Sequence, residues 1–182
     1  MQGAVSEHID KLSSIENIQS CVVKYKEEIE DIDALIIPGG ESTAIGRLLA
    51  DFDLTASLKS RIQAGMPVWG TCAGMIVLAK KICNDARRHL EVMDIEVKRN
   101  GYGRQLDSFT TTVKLPEVST DEIPLVFIRA PYVVDVAPQV EVLLRVDGNI
   151  VACRQDNMLA TSFHPELTDD LSFHRYFAGM IT

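Results

Sequence analysis

The sequence has little that would favour binding to a nucleic acid or to a membrane. Its 18 lysine and arginine residues are outnumbered by 26 aspartate and glutamate residues, which gives a formal net charge of -8 at pH 7. A chain with this charge repels polyanions. No apolar run approaches the length needed to span a bilayer, and the first residues lack the basic region and apolar core of a signal peptide. We therefore expect a cytoplasmic protein with no nucleic-acid or membrane partner.

Cysteine is also scarce. The chain has Cys21, Cys72, Cys83 and Cys153, with no C-x-x-C pair and no histidine at a metal-like spacing from them. Neither a disulfide framework nor a zinc site is indicated, and reduced thiols are expected. The phosphate-binding patterns G-x-G-x-x-G and G-x-x-x-x-G-K are absent from the glycine-rich stretch that follows residue 37. We expect no metal ion and no cofactor.

The composition is that of one globular domain over residues 1–182. Hydrophobic residues make up 46% of the chain and charged residues 24%, and a chain of this length can bury a substantial core. No internal repeat, low-complexity tract or linker divides it.

Hydrophobic periodicity predicts strands that alternate with helices in the first half and strands that dominate the second half. The predicted helices cover residues 6–12, 42–49, 55–64, about 75–82 and 169–181. The predicted strands cover residues 21–25, 34–37, 66–69, 95–98, 109–113, 125–128, 141–146, 150–154 and 158–163. This order favours an α/β fold with a doubly wound, largely parallel sheet, helices on both faces and later antiparallel strands.

The stretch Gly70-Thr71-Cys72-Ala73-Gly74 joins a predicted strand directly to a predicted helix. Small residues around a single nucleophile are typical of a nucleophile elbow, here with cysteine in place of serine. The glycines allow a tight turn that leaves the Cys72 side chain at its tip, where unpaired N–H groups and the helix dipole favour the thiolate. From this motif alone, a small cysteine buried at a strand–helix junction is an equal alternative.

His164 is the best placed of the four histidines to act as a base for such a thiolate. It ends a predicted strand within Ser162-Phe163-His164-Pro165-Glu166, and the carboxyl ends of strands gather the active site in sheets of this type. Glu166 can accept a ring N–H of His164 and fix its tautomer. Cys72, His164 and Glu166 are therefore candidates for nucleophile, base and orienting carboxylate. For His164 taken alone, a turn histidine satisfied by its local neighbours is the simpler alternative.

A covalent acyl intermediate also needs hydrogen-bond donors for its oxyanion. The turn at Gly39 and Gly40, after another predicted strand, leaves backbone N–H groups open to a substrate, and the N–H of Ala73 is the usual contribution of an elbow. The alternative is an ordinary strand-to-helix turn, because a Gly-Gly pair is common in such turns.

Three segments together resemble the class I, triad-type glutamine amidotransferases. They are Pro38-Gly39-Gly40-Glu41-Ser42-Thr43, the elbow at residues 70–74 and Ser162-Phe163-His164-Pro165-Glu166-Leu167-Thr168. Within that family, residues 2–4 with residues 7–8, residues 99–105 and residues 127–131 are similar to the glutaminase subunits of pyridoxal 5'-phosphate synthases. The resemblance runs nearly from end to end of the chain.

The resemblance implies a glutaminase that hydrolyses L-glutamine to L-glutamate and ammonia through a cysteine thioester. It further implies that the ammonia passes to a synthase (lyase) subunit in a hetero-oligomeric complex, for the biosynthesis of pyridoxal 5'-phosphate. By resemblance, Cys72 attacks the side-chain amide, His164 protonates the departing ammonia and Glu166 completes the triad. The glutamine-binding positions carried over from the family are Gly40, Glu41, Ser42, Arg99, Ile128 and Arg129. The arginines suit the α-carboxylate of a free amino acid.

One departure from the family concerns its first strand. Members normally begin with a short apolar strand that leads into the Gln-Gly-Ala turn, and here Met1 stands where that strand would end. We expect the sheet to lack this strand, either because residues precede Met1 in the full protein or because the chain is a shortened form. Its loss would expose the edges of two neighbouring strands and remove core contacts, which would lower stability.

Three other functions are weighed against the glutaminase. They are an amidotransferase with the same triad that serves another ammonia acceptor, a non-catalytic subunit that acts only by docking, and a cysteine peptidase or thiol-dependent stress protein. The two arginine segments argue against the first and the third. The intact Cys72, His164 and Glu166 argue against the second.

Overall fold

The computed structural model describes residues 3–102 and 108–181. The helices are α1 (Val5–Ser13), α2 (Ser42–Asp51), α3 (Thr55–Gln63), α4 (Ala73–Leu78) and α5 (Ser172–Ala178). The strands are β1 (Leu35–Ile37), β2 (Val68–Thr71), β3 (Ala79–Ile82), β4 (Met93–Lys98), β5 (Ser108–Lys114), β6 (Glu122–Ile128), β7 (Tyr132–Val136), β8 (Glu141–Val146), β9 (Asn149–Gln155) and β10 (Met158–Thr161). No helix within the described ranges has both the length and the apolar character to cross a membrane.

Most of these strands form one mixed sheet in the order β1-β2-β10-β9-β7-β4-β3, and β8 pairs with β9. β1, β2 and β10 run parallel to one another, as do β3 and β4, whereas β7, β8 and β9 add antiparallel pairs. β5 and β6 form a separate antiparallel pair. The predicted α/β class, with parallel strands around the elbow and antiparallel additions, is confirmed.

The two faces of the sheet bury separate apolar clusters, because successive residues of a strand point to opposite faces. In β2, Val68 joins the cluster that includes α2, α3 and α4, whereas Trp69 joins the cluster that includes α5. The Trp69 ring lies 6.4 Å from that of Phe173 and 5.6 Å from that of Phe177, measured between centroids. Every residue of β2 is buried, so the strand that leads to Cys72 is held from both sides.

Close packing after β2 requires glycine at two positions. A Cβ atom at Gly70 would overlap the carbonyl group of Gly74, and a Cβ atom at Gly74 would overlap the carbonyl oxygen of Ile37. α4 therefore lies directly against the ends of β1 and β2. This contact places the first turn of α4, and Cys72 before it, at the edge of the sheet where both strands end.

The strand predicted over residues 21–25 is wrong, because this segment has no regular secondary structure. The backbone N–H groups of Lys24 and Tyr25 donate to the Glu28 carboxylate, at 2.6 and 3.0 Å. The Glu28 carboxylate thus caps a short 3-10 turn (Lys26–Ile29) and binds N–H groups that a strand would use to pair with its neighbour.

The helix predicted to continue from the elbow to residue 82 is also wrong in its second half. It ends at Leu78, and Ala79–Ile82 forms β3. The carbonyl groups of Val77 and Leu78 accept from the N–H groups of Leu90 and Val92, each at 3.0 Å. These long-range bonds turn the chain toward β4, with which β3 pairs.

The last helix is shorter than predicted, and a second strand besides β3 was not predicted. α5 begins at Ser172 rather than at residue 169, because the Ser172 N–H donates to the Asp170 carboxylate at 2.8 Å. This second strand is β7, which joins β4 to β9.

β1 forms an edge of the sheet, where β2 is its partner among the described residues. A cavity of about 920 Å³ lies beside β1. It is lined by α1, residues 17–23, β1 and α5, and its lining includes Ile9, Leu12, Leu35 and Phe177. The cavity has room for further apolar side chains next to the unpaired edge of β1.

A strand supplied ahead of Met1 is expected to pair with this edge of β1 and to fill the cavity. We predict that an extension of about seven apolar, β-branched residues raises the melting temperature, since strand pairing and apolar burial both stabilise the fold. Thermal melts followed by circular dichroism measure the change, and an extension of the same length made of glycine and serine is the control. Equal melting temperatures for all three chains would contradict this expectation.

Gly74→Ala is expected to lower the free energy of unfolding by about 2 to 3 kcal/mol, since the added methyl group meets the Ile37 carbonyl oxygen. Helix propensity alone would favour alanine by about 1 kcal/mol, so the two effects have opposite signs. Gly179→Ala is the matched control, because its Cβ would meet no atom closer than 3.4 Å. Urea denaturation compares them, and equal effects of the two substitutions would refute the packing argument.

Candidate active site

Cys72 lies at the sharp turn between β2 and α4, with φ of 48° and ψ of -103°. A positive φ is unfavourable for a residue with a side chain and persists only where neighbouring groups hold it. The Cys72 N–H donates to the Thr161 carbonyl of β10 at 2.8 Å, and the Cys72 carbonyl accepts from the Met75 N–H at 3.1 Å. These bonds hold a turn with a single cysteine side chain at its tip.

His164 and Glu166 follow β10 and form a buried ion pair, with His164 Nδ1 2.7 Å from Glu166 Oε1. Burial lowers the pKa of His164, but the Cys72 sulfur and the Glu166 carboxylate outweigh it and raise that pKa to about 10. Burial raises the pKa of Glu166, but its bond to His164 and the nearby His8 hold that pKa below its usual value. At neutral pH the site therefore holds an imidazolium bonded to a carboxylate beside Cys72.

The end of β6 closes one side of this site. The His164 N–H donates to the Val126 carbonyl at 2.8 Å, and the Ile128 carbonyl oxygen lies 4.0 Å from Cys72 Sγ. Arg129, which follows, has a positive φ of 45° and is exposed. Of the two predicted binding positions on this segment, Ile128 reaches the thiol through its backbone, and Arg129 stands at the surface beside it.

The turn at Gly39 and Gly40 lies directly over the imidazole. A Cβ atom at Gly39 would overlap the His164 ring and come within 3.5 Å of the Cβ atom of the elbow cysteine. The Gly39 carbonyl accepts from the Ala4 N–H at 3.1 Å, which ties the turn to the start of α1. Within residues 3–102 and 108–181, no hydrogen bond takes up the N–H groups of Gly39, Gly40 and Ala73. The N–H groups that the sequence analysis assigned to an oxyanion hole are thus without a partner in the described part of the chain.

Glu41 and Arg99 form an ion pair in which Arg99 Nη2 donates to Glu41 Oε1 at 3.0 Å. The Glu41 carboxylate also caps α2, accepting from the N–H groups of Thr43 and Ala44 at 3.1 and 2.7 Å. Burial raises the pKa of Glu41, but these two bonds and the charge of Arg99 lower it overall. Ser42 is buried, and its hydroxyl has no hydrogen-bond partner in the described part of the chain. Two of the predicted binding positions, 41 and 99, are therefore in contact.

The loop between β3 and β4 adds two charged residues to this ion pair. Asp85 lies 3.5 Å from Arg99 Nη1 and 2.6 Å from Arg87 Nη2, and Arg87 donates to the Thr43 hydroxyl at 2.9 Å. The bonds from Arg87 hold the pKa of Asp85 far below its usual range. No motif singled out Asp85 or Arg87, because charged residues in a loop are usually solvated surface residues.

Two buried histidines that the sequence analysis left aside lie behind Glu166. His8 and His174 are 3% and 0% exposed, and His8 lies 3.5 Å from Glu166. The sequence contains a weak signal for the burial of His8, because His8 shares the helical spacing of Val5 and Leu12 on one face of α1.

Parts of the predicted motifs lie outside the residues that the structure describes. Gln2 and residues 103–105 lie outside the described residues. Within the described ranges, no group of three histidine, cysteine, aspartate or glutamate side chains is arranged to hold a metal ion.

The chain is similar in sequence to a known family and to named relatives. The model of the SNO glutamine amidotransferase family matches residues 1–182. The pyridoxal 5'-phosphate synthase subunit PdxT of Ruminiclostridium cellulolyticum is 78% identical over 181 residues, which cover 100% of this chain and 96% of that protein. The protein of the same name from Caldanaerobacter subterraneus subsp. tengcongensis is 55% identical, covering 97% of this chain and 94% of the relative.

Two solved structures have a fold similar to that of this chain. A crystal structure described as a glutamine amidotransferase superposes with a TM-score of 0.93 at 40% sequence identity, covering 99% of this chain and 95% of that one. The structure of PurLQS from Thermotoga maritima has a TM-score of 0.70 at 14% identity, covering 97% of this chain and 92% of the other, and it supports the fold alone.

Proposed function

The chain belongs to the SNO glutamine amidotransferase family, and we propose that it is the glutaminase of a pyridoxal 5'-phosphate synthase. In this role it hydrolyses L-glutamine to L-glutamate and ammonia and supplies the ammonia to a synthase subunit. The observation that carries the proposal is the buried pair of His164 and Glu166, 2.7 Å apart, beside a cysteine in a strained turn. The 78% identity to a pyridoxal 5'-phosphate synthase subunit supports the choice of partner.

In the first step, the Cys72 sulfur attacks the side-chain carboxamide carbon of glutamine and a C–S bond forms. The carbonyl oxygen becomes an oxyanion, for which the N–H groups of Gly39, Gly40 and Ala73 are candidate donors. As the C–N bond breaks, His164 gives its proton to the departing nitrogen, which leaves as ammonia. The products of this step are a glutamyl thioester and a neutral His164.

In the second step, water attacks the thioester carbon while His164 accepts a proton from that water. Collapse of the new oxyanion breaks the C–S bond and releases glutamate, which restores the Cys72 thiolate and the His164 imidazolium. Glu166 keeps the His164 ring in one orientation through both steps, because its Oε1 accepts the Nδ1–H. The cycle consumes one glutamine and one water molecule.

The charged residues around the site suit the two ends of a free amino acid. A guanidinium group binds a carboxylate with paired hydrogen bonds, so Arg99 and Arg129 are the proposed partners of the glutamine α-carboxylate. The Glu41 carboxylate is a candidate partner for the α-ammonium group, with Gly40 and Ser42 beside it. Ile128 is assigned to the same pocket through its backbone carbonyl near the thiol.

Cys72→Ala is expected to reduce ammonia release from glutamine by at least about a thousandfold, because no other group can form the thioester. A coupled glutamate or ammonia assay with the synthase subunit present measures the rate. Cys83→Ala is the matched control, since it removes a different, partly exposed thiol that bonds Glu96. Ammonia release that survives in Cys72→Ala at the rate of the control would overturn the mechanism.

The partner subunit is expected to raise the glutaminase rate, because the Gly39-Gly40 turn that provides oxyanion donors lies in a loop rather than a regular element. Ammonia release is measured over a titration with the synthase subunit of a relative such as Ruminiclostridium cellulolyticum. A heat-denatured sample of the same subunit is the control. A rate that does not change across the titration would show that docking and activation are not linked.

A further inference from the structure

Two imidazoles that take no direct part in the proposed reaction lie behind Glu166. His8 of α1 and His174 of α5 are buried, and His8 Nδ1 lies 3.0 Å from His174 Nε2. On its other side, His8 Nε2 lies 3.5 Å from Glu166 Oε2 and 3.3 Å from Thr71 Oγ1. Glu166 Oε2 is the carboxylate oxygen that His164 does not use, and it has no hydrogen-bond partner in the described part of the chain.

The negative charge of Glu166 decides which ring nitrogens of His8 and His174 carry protons. With a proton on His8 Nδ1, the Nε2 lone pair would face the carboxylate, and the His174 Nδ1–H would be a buried donor without an acceptor. With the proton on His8 Nε2, an N–H faces Glu166, and His8 Nδ1 accepts from the Nε2–H of His174. The second arrangement is favoured, because it directs the positive end of an N–H dipole at a buried negative charge.

We infer that His8 is a positioning residue for the proposed glutaminase, whose Nε2–H holds the second oxygen of Glu166 so that the first stays directed at His164. His174 acts one contact further away by fixing the tautomer of His8. The separation of 3.5 Å is longer than a hydrogen bond, and contacts of catalytic groups tighten in the substrate or transition-state complex. The inference rests on the proposed function, since it assigns both imidazoles to the same triad.

The pair is neutral at neutral pH. Burial lowers the pKa of His8 although the Glu166 charge raises it, and burial lowers the pKa of His174 to about 3. The other charged groups that face the pair are His164, Glu7 and Lys11. A neutral donor orients the carboxylate without replacing the imidazolium of His164 as its counter-ion.

The side chain of His8 allows a matched pair of substitutions. His8→Gln can keep an N–H donor at the Nε2 position that faces Glu166, whereas His8→Asn can keep one only at the Nδ1 position that faces His174. We expect His8→Asn to lower kcat about tenfold with KM changed less than about twofold, and His8→Gln to remain within about threefold of the wild-type kcat. Ammonia release with the synthase subunit present is the assay, and thermal melts establish that both variants fold.

A second readout needs no substrate. Nuclear magnetic resonance of ¹⁵N-histidine follows the titration of His164, whose pKa of about 10 depends on Glu166. We expect this titration to move to lower pH in His8→Asn and to stay in place in His8→Gln, because a misoriented carboxylate stabilises the imidazolium less. If the wild-type chain releases no ammonia, the proposed function fails, whereas this titration still decides the role of His8.

A double-mutant cycle separates positioning from a merely structural role. If His8 acts through Glu166, His8→Asn has no further effect on kcat in a Glu166→Gln background. Three results would overturn the inference: an equal loss in His8→Gln and His8→Asn, an unshifted His164 titration in His8→Asn, or a His8→Asn defect that persists in full beside Glu166→Gln.

Discussion

The left-handed backbone of Cys72 is the constraint on which the rest of the site depends. Such a conformation costs about 1 to 3 kcal/mol and persists only where surrounding contacts over-determine it. β2 supplies them by being buried on both faces, and β10 supplies them by accepting the Cys72 N–H. The register that pairs Thr71 with Thr161 brings the two chain segments that leave these strands to the same level of the sheet. His164 reaches the thiol because it follows β10 by only a few residues, so the contacts that hold the turn also bring His164 and Glu166 beside Cys72.

The second requirement is the buried carboxylate of Glu166, and the groups around it explain how its negative charge is stabilised. Removing a carboxylate from water is costly unless the charge is paired and hydrogen-bonded. His164 satisfies one oxygen of Glu166 with a charged partner, and the other oxygen faces neutral His8. A lysine in place of His8 would add a positive charge that competes with His164 for Glu166. Two neutral imidazoles instead fill the space between α1 and α5 with groups that can donate and accept.

The proximity of Cys72 and His164 could be predicted from short-range patterns, because parallel strands end on the same edge of a sheet. Cys72 and His164 each follow a strand there, so their proximity could be inferred without knowing the full topology. The segment 21–25 and Ala79–Ile82 could not be assigned in this way. The segment 21–25 has strand-forming residues, but its backbone bonds locally to Glu28. Ala79–Ile82 follows a helix that ends early, because long-range bonds from Leu90 and Val92 take up its last carbonyl groups. The contacts of His8 with Glu166 and of Arg99 with Glu41 join distant parts of the chain and carry no local signal.

Helix α1 connects three features that are otherwise separate. Its N-cap residue Ala4 donates to the Gly39 carbonyl, and its first turn places His8 against Glu166. The same helix lines the cavity beside β1 through Val5, His8, Ile9 and Leu12. Because closely packed interiors transmit strain, a group that filled this cavity would also restrict the position of α1. The Gly39-Gly40 turn and the Glu166 carboxylate would then be held together, so the stability of this sheet edge and the geometry around Cys72 depend on the same helix.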